Sequence, residues 1–116
     1  NDRAIIKYAE FLSYTEDDEG LIELLGNAPA TVQQLPESLW LLARANNNVD
    51  EYDQARSYYE QAYLYLSEDL DFLKEYAFFL REDGQRDKMK EIAQKYLLLS
   101  PEPDAEINDL LDDYNY

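Results

Sequence analysis

The sequence has no cysteine and no histidine, and it has only three glycines, four prolines and one tryptophan in 116 residues. Without cysteine there is no disulfide, no thiolate nucleophile and no Cys-type metal site, and the redox compartment stays open. Without histidine, carboxylates are the only strong metal ligands left, and no metal or cofactor is expected. Long apolar runs are also missing. The run LWLLA at 39–43 falls far short of a bilayer span, and no basic-then-apolar leader opens the chain, so membrane insertion is not expected. The compartment is left undecided, with the cytoplasm slightly favoured. The chain starts at Asn1 rather than methionine and is read as a piece of a longer protein.

Positive charge is scarce as well. Ten Lys and Arg stand against 26 Asp and Glu, a net charge of −16, which repels nucleic-acid phosphates and anionic lipid. Nucleic acid is therefore not an expected partner.

Apolar residues recur at helical spacing along nearly the whole length, and the few turn signals cut the chain into helices. These are expected over 2–14, 18–28, 36–48, 51–66, 69–83, 85–98 and 104–114. Asp50, Ser67 and Asp104 are candidate caps, Pro36 suits a first turn, and Pro101 stops the sixth helix.

The helices repeat. Ala9, Ala43 and Ala77 recur at an interval of 34 residues, preceded four positions earlier by Ile5, Leu39 and Leu73 and one position earlier by Tyr8, Leu42 and Tyr76. Such a period, with two helices in each, marks a solenoid of stacked hairpins. A small residue recurring at one place allows two helices to approach closely where they cross.

On these residues the chain resembles the tetratricopeptide repeat (TPR) family. The second unit fits best. Leu42 and Ala43 stand at the family's Leu and Gly, Tyr52 at the aromatic that opens the second helix, and Ala55, Tyr59 and Ala62 at its Ala, aromatic, Ala series. The third unit fits through Ala77, Gly84 and Pro101, with Met89, Ala93 and Tyr96 exchanging large for small. The first fits through Ala9 and Ala28, although Gly26 and Pro29 end its second helix early and leave APATVQQ as an irregular or briefly helical connector. Ile107, Leu110, Leu111 and Tyr114 repeat the offsets of Ile5, Tyr8, Ala9 and Leu12, which suits a solvating, closing helix. The resemblance implies an all-α, right-handed superhelical solenoid of about three TPR-like hairpins. Their units fall at about 2–35, 36–69 and 70–103, with a closing helix at 104–114, in one domain over 1–116.

The family uses the first helices of its repeats to line a groove for a peptide or helix of another protein, so a non-enzymatic protein-interaction module is implied. Helical geometry assigns the lining stripes as Arg3, Ile6, Glu10 and Ser13, then Trp40, Arg44 and Asn47, then Lys74, Phe78 and Arg81. In that lining Arg3, Arg44, Lys74 and Arg81 outnumber Glu10, Glu37 and Asp71, which favours a carboxylate-bearing segment with an apolar anchor. The family's carboxylate clamp is not matched: its places hold Ile6, Glu10, Leu41, Asp71 and Glu75. Catalysis has no candidate, because glycine-rich phosphate loops are absent and paired carboxylates are too common in the chain to mark a site. TEDDEG lacks calcium-loop spacing and is read as a solvated turn with acids at a helix start. The acidic run at 109–116 is read as a solvated closing face rather than a docking tail. The alternative function is a structural spacer or self-associating internal stretch of a longer solenoid.

Overall fold

The computed structural model describes residues 1–114, which form eight helices and no strand. They are α1 (Asp2–Tyr14), α2 (Asp18–Gly26), α3 (Ala30–Gln33), α4 (Pro36–Asn48), α5 (Tyr52–Leu66), α6 (Leu70–Glu82), α7 (Arg86–Leu99) and α8 (Ala105–Tyr114). The all-α class and the helix pattern follow the sequence reading closely. The connector APATVQQ contains the one-turn helix α3, and α2 stops at Gly26 rather than continuing to 28.

Short oxygens satisfy the orphan amides at helix starts. Asn1 accepts from the amides of Arg3 and Ala4, Asp17 from Gly20, Asp69 from Phe72, and Asp104 from Glu106 and Ile107. Two expected caps are corrected. Ser67 does not cap α6, because Asp69 stands two residues closer to the helix and takes that place. Asp50 does not cap α5 either, because its backbone is left-handed (φ 64°) and its carboxylate accepts from the Tyr52 hydroxyl at 2.7 Å.

That conformation belongs to a recurring turn. Glu16 (φ 63°), Asp50 (φ 64°) and Gly84 (φ 77°) each follow the first helix of a hairpin, and they share the 34-residue interval of the alanines. At each, two hydrogen bonds close the helix end. Glu16 N–H donates to the Ser13 carbonyl and Asp17 N–H to Leu12. Asp50 N–H donates to Asn47 and Glu51 N–H to Asn46, while Gly84 N–H donates to Arg81 and Gln85 N–H to Leu80. This is the Schellman arrangement, in which a left-handed residue lets the last carbonyls be satisfied while the chain reverses.

The chain divides into two compact units, 1–65 and 66–116. In the first, α1 packs on α2, and α4 lies against both, with α3 wedged among the three. Ala9, Leu12, Leu21, Leu25, Val32, Leu41, Leu42 and Ala45 form its core, with Ile5, Ile6, Ile22, Leu24, Ala28 and Tyr58 against it. In the second, α6 and α7 form a hairpin and α8 packs on both. Phe72, Leu73, Ala77, Leu80, Met89, Ile92, Ala93, Ile107 and Leu110 are buried there. Ala9, Ala43 and Ala77 have no exposed surface, as positions that cannot take a larger side chain should. Ala55, Tyr59 and Ala62 on α5 are also enclosed, so the alanines that flank the ring serve packing rather than solvent.

Candidate groove on the first helices

The first unit carries an open trough along α1 and α4. One cavity of about 330 Å³ is lined by Asp2, Arg3, Ile6, Lys7, Glu10, Leu35 and Glu37. A second, of about 230 Å³, is lined by Glu10, Glu37, Trp40, Leu41 and Arg44. The stripe residues Arg3, Ile6 and Glu10 of α1 therefore stand beside Trp40 and Arg44 of α4, with Glu10 and Glu37 common to both cavities. The helix period brings Trp40 and Arg44 onto one face, and the Arg44 guanidinium lies 5.4 Å from the indole centroid. Its Nη1 also donates to Ser13 Oγ at 3.2 Å, which ties α4 to the end of α1. Asn47 is half-buried one turn further along, where its carbonyl accepts from Asp50 in the turn. Lys7 and Leu35 line the trough without having been foreseen: Lys7 lies off the expected stripe, and Leu35 precedes α4, where helical period carries no information.

In the second unit the stripe on α6 is Lys74, Phe78 and Arg81. The Arg81 guanidinium lies 5.3 Å from the Phe78 ring, its Nη2 is 3.0 Å from Glu82 Oε1, and its Nη1 is 3.8 Å from Asp113 Oδ2. Lys74 Nζ donates to Asp104 Oδ2 at 2.9 Å and to Glu106 Oε1 at 3.0 Å. Tyr96 donates its hydroxyl to the same Asp104 oxygen at 2.8 Å. The start of α8 is thus clamped. The Lys74 and Tyr96 hydrogen bonds hold the Asp104 carboxyl down at about 2, and Asp104 and Glu106 raise Lys74 to about 12. At the other end, Arg86 Nη2 donates to the Tyr114 carbonyl at 2.7 Å and Tyr114 donates its hydroxyl to Asp87 at 2.9 Å, which pushes that phenol up. The acidic run at 109–116 is described as far as Tyr114; Asn115 and Tyr116 lie outside the described residues. Among the described residues no group of three or more carboxylates is placed to hold a metal ion, and no helix is long and apolar enough to cross a membrane.

The family described as YpiA-like, C-terminal tetratricopeptide repeats matches residues 36–103, more than half of the chain. The chain belongs to this tetratricopeptide repeat family. The TPR repeat-containing protein YpiA of Bacillus subtilis (strain 168) is 35% identical over 82 residues, which are 71% of this chain and 19% of that protein. The chain therefore spans about a fifth of the relative's length. The crystal structure of MamA protein superimposes with a TM-score of 0.75 at 20% identity, covering 87% of this chain and 55% of that one, a likeness of fold alone. Tetratricopeptide repeats generally mediate protein–protein interaction, and the match places the best-fitting hairpin, α4 with α5, within the family's span.

Proposed function

We propose that this tetratricopeptide repeat chain is a non-enzymatic interaction module that takes a peptide or helical segment of a partner protein on the first helices of its hairpins. The observation that carries the reading is the α1/α4 trough. It offers a half-buried indole, three aliphatic side chains (Ile6, Leu35 and Leu41) and charged groups of both signs in one open channel. Aromatic and guanidinium side chains with apolar surroundings are the usual carriers of binding energy at protein interfaces. Arg3, Glu10, Trp40, Arg44 and Asn47 are the contact residues proposed in the first unit. Lys74, Phe78 and Arg81 form a separate stripe in the second, available to a partner only with the ion pairs of α8 in place or displaced.

The Trp40→Ala/Arg44→Ala double variant tests this. A partner recovered from the native lysate is expected to lose at least about 2 kcal/mol of affinity for the variant, roughly thirtyfold. The variant's circular dichroism should match the parent's. Unchanged affinity overturns the groove.

A second reading, an internal stretch of a longer solenoid, is favoured by one face of α1. Tyr8 is 54% exposed, whereas its repeat equivalents Leu42 and Tyr76 are 4% and 1% exposed. Phe11 is exposed beside it, with the two rings stacked at 6.4 Å. If that face serves stacking, light scattering should show concentration-dependent association that Tyr8→Glu abolishes. A monomer at all concentrations counts against it.

A further inference from the structure

Resting on the groove reading above, we propose that the α1/α4 trough selects its partner through a basic anchor. A lysine or arginine side chain of the partner enters between Glu10 and Glu37 and lies against the indole of Trp40. Cation count in the sequence favours an acidic segment, but the side-chain contacts reverse that preference. Lys74 is taken by Asp104 and Glu106, Arg81 by Glu82, and Arg44 by Ser13 and the Trp40 ring. Arg3 and Lys7 line only the larger cavity, away from the indole.

In the smaller cavity, which the indole lines, Glu10 and Glu37 are the charges left over. Both line both cavities, and among the described residues neither has a hydrogen-bond or ion-pair partner. They come from different helices, so their sharing of both cavities is a product of how α4 packs on α1. Closing an apolar or neutral segment over two carboxylates strips their water without replacement, and an acidic segment adds repulsion. A basic side chain avoids both costs. Its aliphatic stem covers Leu41 and the indole, and its head pairs with the carboxylates beside a ring that itself attracts cations. Arg44 opposes this as a like charge, but it is one guanidinium, already engaged, against two carboxylates. The cavity of about 230 Å³ is smaller than a typical small-molecule site and suits one long side chain.

Trp40 is the chain's only tryptophan, so its fluorescence reports this cavity alone. Three capped peptides identical except at a central pair of arginines, glutamines or glutamates are titrated into the full chain up to millimolar concentration. The arginine peptide is expected to shift Trp40 emission saturably and bind tightest, and the glutamate peptide weakest. Glu10→Gln/Glu37→Gln should weaken the arginine peptide at least about threefold, the scale of two partly exposed ion pairs. Glu51→Gln/Glu60→Gln removes the same charge from exposed positions just before α5 and in its middle, so it controls for non-specific attraction to a chain of net charge −16, and should change little. If the glutamate peptide binds as well as the arginine peptide, or the groove variant behaves like the control, the basic anchor is wrong while the groove stands. If none of the three alters Trp40 emission, both readings fail together.

Discussion

Ser38 is wholly buried on α4, and its hydroxyl has no hydrogen-bond partner. A buried, unpaired hydroxyl carries its desolvation cost with no return, and serine is also a poorer helix former than alanine. Ser38→Ala is therefore expected to stabilise the chain by about 1 kcal/mol, read as a higher urea midpoint with an unchanged slope. The three left-handed turn residues make a matched set. Gly84 meets nothing within 4 Å of where a Cβ would stand, so Gly84→Ala isolates the backbone penalty, a destabilisation of about 1 kcal/mol. Glu16→Gly should act in the opposite direction, stabilising by about 0.5–1 kcal/mol, because a glutamate there bears that same penalty. Equal and same-signed shifts for the two would refute the account. Asp50 is a poorer target, since its carboxylate accepts from Tyr52.

Among the elements, α8 depends most on ionisation. Only Ile107 and Leu110 are wholly buried on it, and polar clamps hold both of its ends. The Asp104 carboxyl lies at about 2, below its ordinary 3.8, so its contribution is complete above 3.8 and is lost as pH falls through about 2. Lys74 is raised from 10.5 to about 12, so its contribution is complete below 10.5 and is lost as pH rises through about 12. Both shifts describe one interaction, worth on the order of 1–2 kcal/mol once the partial exposure of Lys74 is allowed for. Many other carboxylates titrate in the same acid range, so the test is a difference. Between pH 4 and 2 the parent should lose about 1 kcal/mol more than Lys74→Met, and parallel pH profiles of Tm would count against the clamp. Tyr96 shows why the third hairpin departs from its family's pattern. A ring where a small residue is expected puts a hydroxyl within reach of Asp104.

For the molecule as a whole, the net charge of −16 is the dominant long-range term. At low ionic strength the acids repel one another across distances that 0.15 M salt screens to about 8 Å. Raising salt from about 10 to about 150 mM should therefore raise Tm by a few degrees, because self-repulsion outweighs the few exposed ion pairs that salt weakens. A fall in Tm would mean that the ion pairs dominate. The same screening should weaken the arginine peptide of the groove experiment while leaving its preference over glutamate in order.

Helix class, helix order, the 34-residue interval and the buried alanines were all legible in the sequence. Each depends on short-range periodicity or on one small residue recurring at a fixed place, and both are written directly in residue order. Asp104 was legible as a cap for the same reason, being a short carboxylate just before an amphipathic run. Gly84 was legible at its turn, but Glu16 and Asp50 were not, because nothing in their side chains announces a left-handed backbone that the chain reversal imposes. Which charges remain unpaired was decided by tertiary structure alone. Lys74 meets an acid thirty residues away because α8 folds back onto α6, whereas Glu10 and Glu37 share one trough with Arg3, Lys7 and Arg44 and pair with none of them. Sequence counts charges, but electrostatic partnership falls off with distance in space, and only packing sets that distance.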